Sequence, residues 1–230
     1  MIIKRGNKRV RFLGKRSDAD RTDERKSMVE EQIQARGVSD QRVTQAMLEV
    51  PRHRFVSKEQ QAFAYEDQPL PIGYGQTISQ PYIVAFMIEA LQTAPSDRVL
   101  EIGTGSGYAA AVLSQVVAEV YSIETVRPLA DAAKKTLEDL GYTNIHLRTG
   151  DGTKGWPEAA PFNGILVSAG APVVPESLVG QLAPGGRLVI PVGDRIDQSL
   201  LRITRTSDGK LLEENLAIVR FVPLIGEEGW

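Results

Sequence analysis

Val99-Leu100-Glu101-Ile102-Gly103-Thr104-Gly105-Ser106-Gly107-Tyr108 joins a short apolar run to three glycines at alternate positions, and the apolar segment 109–117 follows at once. This is the pattern of a strand, a tight loop and a helix. Glycine suits such a loop because it adopts positive φ and has no Cβ to obstruct a bound molecule. Working outward, strand candidates at 98–102, 119–123, 145–148, 164–168 and 186–192 alternate with helical segments at 109–117, 127–140 and 175–182. That alternation predicts an α/β fold, a doubly wound Rossmann-like sheet, mostly parallel, with helices on both faces. Residues 199–206, the Asp208-Gly209 turn and 211–221 predict an antiparallel edge at the C-terminal end. Upstream, helices are expected over 27–36, 41–50 and 81–92, with Gly37 and Pro51 as stops and a mixed segment at 53–65. Residues 69–75 read as a loop from their Pro and Gly content. The expected organisation is a basic, flexible extension (1–27) and a single domain (28–230). The domain divides into a helical N-terminal part (28–92) and an α/β core with C-terminal strands (93–230).

A chain of 230 residues buries enough apolar surface to fold without staples. Its 42% hydrophobic and 24% charged residues are those of an ordinary globular domain. The absence of cysteine excludes disulfides, thiolate catalysis and cysteine-ligated metal sites. With His53 and His146 the only histidines, no metal is expected. No apolar run approaches the ~18 residues of a membrane span, and no signal-peptide core follows the basic N-terminus. A cytoplasmic protein without membrane association is the expectation. The net charge of −2 hides an asymmetry: residues 1–27 carry ten Lys and Arg against four Asp and Glu, the remainder 17 against 25. The tail reads as a solvated extension. Its single aromatic, Phe12, and the acidic body argue against a nucleic-acid partner.

A doubly wound sheet binds its ligand at the carboxyl ends of its strands, where residues 103–107 are expected. A dinucleotide loop such as that for NAD needs Gly-x-Gly-x-x-Gly, which would place Gly or Ala at 108. Tyr108 stands there instead. Glu101, two places before the first glycine, would repel a pyrophosphate and suits a cationic ligand with a free amino group, such as S-adenosylmethionine. Glu124 at the end of the second strand can accept hydrogen bonds from both ribose hydroxyls. Asp151 after the third strand can accept from an adenine amino group, with Gly152 letting the ring approach. Three acids at three successive strand ends favour S-adenosylmethionine, with Gly103, Thr104, Gly105 and Gly107 as the backbone cradle.

Before the first core strand lies Gly73-Tyr74-Gly75-Gln76-Thr77-Ile78-Ser79-Gln80-Pro81, preceded by Asp67-Gln68-Pro69-Leu70-Pro71-Ile72. With the glycine loop, with Leu182-Ala183-Pro184-Gly185-Gly186-Arg187-Leu188-Val189-Ile190-Pro191-Val192-Gly193 and with Phe221-Val222-Pro223-Leu224-Ile225-Gly226, this closely resembles the protein-L-isoaspartate O-methyltransferase family over about residues 28–226. The resemblance implies methyl transfer from S-adenosylmethionine to the free carboxylate of L-isoaspartyl residues in damaged proteins. The ester then collapses unaided to a succinimide, whose hydrolysis returns some normal aspartate. By position in the family motif, Ser79 is the expected active-site residue. Thr77, Ile78, Tyr82 and Val222 are expected against the substrate, Val222 by strand-like bonds to its main chain. Gln76, Thr77, Ile78 and Ser79 are also expected to border the cofactor, and Gln198 to reach it from the sheet edge. A monomer is expected.

A carboxylate nucleophile is ionised at neutral pH and needs no base, so the chain must supply alignment and partial exclusion of water. Ser79 could equally cap the helix that starts at Pro81. Many relatives carry His where Tyr82 stands and an acid where Asn163 stands, and Gly170 loosens an alanine-rich turn. These departures bear on substrate preference. Two other readings stay open, a methyltransferase of the same fold with another acceptor and a non-catalytic module that binds S-adenosylmethionine.

Overall fold

The computed structural model describes residues 21–230. Most of the expected basic extension, residues 1–20, lies outside the described residues. Its last seven residues belong to the fold. Helix α1 (Thr22–Ser27) buries Arg25, which donates to the Leu48 carbonyl at 2.9 Å and the Tyr65 hydroxyl at 3.1 Å. Arg21 donates to the Gln61 carbonyl at 2.7 Å. The domain therefore starts before residue 28. Charge counting does not separate a solvated arginine from one whose donors are met inside the protein.

The chain continues as a π-turn, Met28–Ile33, and a 3₁₀ turn, Gln34–Arg36, ending at the left-handed Gly37 (φ 98). The wider π-turn brings Met28, Val29 and Ile33, all buried, to one side. Helix α2 (Gln41–Glu49) is capped by Asp40, whose carboxylate accepts from the Arg42 N–H. Helix α3 (Pro81–Ala90) opens on its proline and buries Val84, Met87 and Ile88.

The stretch expected as a loop contains a strand. Strand β1 (Leu70–Gly73) pairs antiparallel with β2 (Gln76–Ile78). Tyr74 (φ 54) and Gly75 (φ 72) make the turn, both left-handed as a two-residue hairpin requires. Pro71 is tolerated because a two-stranded ribbon leaves each strand an outer edge with no ladder to complete.

The main sheet has the order β5-β4-β3-β6-β7-β8-β9. Its strands are β3 (Arg98–Ile102), β4 (Glu119–Glu124), β5 (Ile145–Thr149), β6 (Phe162–Val167), β7 (Leu182–Gly193), β8 (Gln198–Arg205) and β9 (Leu211–Val219). Pairing is parallel from β5 to β7 and antiparallel for β8 and β9, as expected. Helices α4 (Tyr108–Ser114), α5 (Arg127–Asp139) and α6 (Glu176–Gly180) supply three of the crossovers, and 3₁₀ turns at Gly152–Lys154 and Pro157–Ala159 the one from β5 to β6.

Alternation along the strands divides the core. Val99, Leu166, Val189 and Leu200 face the side packed by α2, α3 and α4. Leu100, Ile102, Ile165, Val167, Leu188 and Ile190 face the other, packed by α6 and short turns. The chain runs from β3 through β4 to β5 on one side, then crosses back to place β6 on the other. That reversal leaves a crevice at the carboxyl ends of β3 and β6.

Candidate active site

A cavity of about 310 Å³ occupies this crevice. Its wall is made by residues 103–106 after β3, Glu124, Thr125 and Val126 after β4, Ser168 and Ala169 after β6, and residues 76–79 from the hairpin. The glycine loop holds its shape for definite reasons. The Gly103 N–H donates to the Ile123 carbonyl at 2.9 Å. Gly107 (φ 88) precedes α4, and a Cβ there would stand 3.2 Å from Leu137 Cδ1. Gly105 (φ 54) touches the hairpin, where a Cβ would lie 3.3 Å from Ile72 Cδ1.

Glu124 lines the cavity and also fastens the loop. One carboxylate oxygen accepts from the Gly105 N–H at 2.8 Å, the other from the Val126 N–H at 2.9 Å. Each oxygen keeps a lone pair for a ligand hydroxyl. Glu101 pairs in register with Ser122 on the next strand, so both side chains leave the same face of the sheet. The Ser122 hydroxyl donates to Glu101 Oε2 at 2.5 Å, and Thr104 Oγ1 lies 2.6 Å from Ser122 Oγ. Glu101 has no exposed surface, and its Oε1 has no hydrogen-bond partner among the described residues. Burial pushes this carboxyl up to about 8, with a smaller upward contribution from Glu124. An orphaned acid oxygen beside a loop that lines a cavity calls for a donor, preferably cationic. The residues fit S-adenosylmethionine, whose amino group could complete Glu101 and whose ribose hydroxyls could reach Glu124.

Ser79 stands where this cavity meets a second, open cleft, and Thr77, Ser168, Val222 and Pro223 share that junction. The cap position of α3 is Gln80, and no side chain caps it. The helix-cap role does not fall to Ser79. Gln80 instead donates to the Asp67 carbonyl and carboxylate at 3.0 and 2.7 Å, tying the hairpin to α3. The Ser79 hydroxyl makes no hydrogen bond to another described residue, which leaves it to the cavity.

Residues 23–229 match the sequence model of the Protein-L-isoaspartate(D-aspartate) O-methyltransferase (PCMT) family. The chain belongs to this family. A protein-L-isoaspartate O-methyltransferase of Pelotomaculum thermopropionicum is 63% identical over 221 residues, 96% of both chains. One from Trichlorobacter lovleyi is 56% identical over 206 residues, covering 90% of this chain and 95% of its own. Among solved structures, a protein-L-isoaspartate O-methyltransferase at 34% identity superposes with a TM-score of 0.81, covering 89% of this chain and 67% of that one. A Plasmodium falciparum protein assigned to the same activity, in complex with S-adenosyl-L-homocysteine, gives 0.74 at 27% identity, covering 87% of this chain and 98% of that one.

Within the family motif, the structure gathers Gln76, Thr77, Ile78, Ser79, Gly103, Thr104, Gly105, Glu124, Gly152 and Val222 on the cavity wall. Five expected residues, Glu101, Gly107, Asp151, Gln198 and Tyr82, are not on that wall. The Asp151 carboxylate accepts from the Thr153 N–H and hydroxyl and from the Glu227 N–H, which fixes the C-terminal segment. Gly152 is required because a Cβ would lie 2.4 Å from Ile102 Cγ2. Gln198 is buried away from the cavity, donating to the Asp194 and Phe221 carbonyls and accepting from the Phe221 N–H. Tyr82 lines only the open cleft, stacked on Phe86 and under Arg36 at 3.5 Å.

Two departures have structural explanations. Asn163 accepts from the Arg98 N–H at 3.0 Å, at the end of the sheet remote from the cavity. Gly170 makes room for Gln198, because a Cβ would stand 2.4 Å from Nε2. Gly170 also exchanges backbone hydrogen bonds with Val222 and Leu224 at 2.8 Å, so the Val222 carbonyl is already engaged. His53 lies 2.7 Å from the Tyr65 hydroxyl inside the N-terminal part, and His146 lies beside Glu119, so neither reaches the cavity. Sequence reasoning missed Ser122, whose strand register was not visible, and Ser168, which its position at a strand end could have flagged.

Proposed function

We propose that the protein transfers a methyl group from S-adenosylmethionine to the free carboxylate of L-isoaspartyl residues in damaged proteins, starting their repair through a succinimide. The observation that carries this reading is the free Ser79 hydroxyl at the junction of a cavity lined by Glu124 and by Gly103, Gly105 and Gly152 with a cleft open to solvent. The cofactor supplies an electrophilic methyl group on a sulfonium.

The chain's own residues hold and align. Glu101 and Glu124 would fix the amino and ribose ends from the side packed against α4. Ser79 would donate to the acceptor carboxylate and point one of its oxygens towards the cavity. An anion and a cation neutralise each other in this reaction, so partial exclusion of water by Ile78, Val84 and Val222 favours it. The same loss of charge means that a hydrogen bond to the carboxylate weakens on the way to the transition state. Ser79 therefore contributes orientation more than charge stabilisation.

The test is methyl transfer from labelled cofactor to an isoaspartyl peptide and to its normal aspartyl twin. Methylation confined to the isoaspartyl peptide is expected. Equal labelling of both, or of neither, overturns the reading. Ser79→Ala should lower kcat/KM by about tenfold or more, and full activity would remove Ser79 from the mechanism.

A further inference from the structure

The cleft beyond Ser79 is lined by Arg36, Arg195 and Arg220 and, among the described residues, by no aspartate or glutamate. The body around it is acidic, with 17 Lys and Arg against 25 Asp and Glu beyond residue 27. Positive charge is thus collected where the acceptor enters. The three arginines are not equivalent. Arg36 is committed, donating to Asp67 at 2.7 Å and lying over the Tyr82 ring. Arg195 lies over the Trp230 ring at 5.1 Å and makes no ion pair with a described residue. Its neighbour Asp194 is turned into its own loop, accepting from the Ile196 and Asp197 N–H groups at 2.7 and 2.8 Å. Arg220 makes no hydrogen bond or ion pair with a described residue and is exposed just beyond the end of β9.

We propose that Arg195 and Arg220 select isoaspartyl acceptors that carry acidic residues beside the damaged position. This rests on the acceptor proposed above and adds a sequence preference to it. A guanidinium without an internal carboxylate is available for bidentate pairing, and stacking on Trp230 reduces the freedom that Arg195 would lose on pairing. Charges at the mouth of a cleft act mainly on encounter and capture, so the preference belongs in kcat/KM and weakens with salt.

Three isoaspartyl peptides of one length, flanked by Glu, Gln or Lys, test this with the full chain and S-adenosylmethionine. The expected order of kcat/KM is Glu, then Gln, then Lys, with about fivefold between the extremes and convergence in about 1 M salt. Arg195→Glu with Arg220→Glu should invert the order. If that double variant does not fold, Arg220→Gln alone should narrow the spread. Equal turnover of the three peptides overturns the proposal, as does a Glu preference that survives the double variant or a spread that Arg220→Gln leaves unchanged. Failure to methylate any of the three would instead overturn the acceptor reading on which it rests.

Discussion

Glu101 has no exposure and one oxygen without a hydrogen-bond partner among the described residues, and burial pushes its pKa up to about 8 where an ordinary glutamate has 4.5. The folded state thus holds a proton that the unfolded state releases in the window from about 4.5 to about 8. Stability without cofactor should fall as pH rises through that window and level off above it. Glu101→Gln should remove that slope, raise Tm at pH 8 and weaken cofactor binding, as melting curves and titration can check. Cofactor binding at pH 7 should also release a proton, seen as a buffer-dependent calorimetric enthalpy, because an amino group beside the orphaned oxygen favours the carboxylate. Gln198 separates a structural role from a binding one. Gln198→Ala loses two hydrogen bonds with Phe221 and one with Asp194 and should cost about 2–3 kcal/mol of stability while leaving cofactor affinity within about threefold.

At the scale of elements, the glycine loop was legible because its spacing, its preceding acid and its following helix all lie within ten residues. What it rests on was not. Glu124 comes from the next strand and Leu137 from the end of α5, and both set the loop's conformation. Gly107→Ala adds a Cβ at φ 88 against Leu137, and should cost about 1–3 kcal/mol and lower cofactor affinity, measured by thermal melts and titration. Residues 69–75 read as a loop because Pro and Gly are local signals, whereas 70–73 form β1. Its strand character comes from pairing across the turn and from Ile72 packing towards Gly105.

At the scale of the whole molecule, the reversal of strand order beside β3 places the carboxyl ends of three strands around one crevice, and the other end of the sheet lies away from it. Asn163 is at that other end. Asn163→Asp keeps an acceptor for the Arg98 N–H, so the ratio of isoaspartyl to aspartyl turnover should not change, and a changed ratio would place this residue in the substrate path. Among the described residues no helix is long and apolar enough to cross a membrane.

The sequence by itself determined the strand and helix alternation, the antiparallel edge, the glycine loop and the family, because each is written in residues close together along the chain. Only the tertiary structure decided that Asp151 and Gln198 brace the C-terminal segment, that Ser122 pairs with Glu101, and that Ser79 is left free at the meeting of two cavities. Those outcomes depend on strand register and on which donors come within about 3 Å, and such distances arise between residues up to 76 positions apart in the chain.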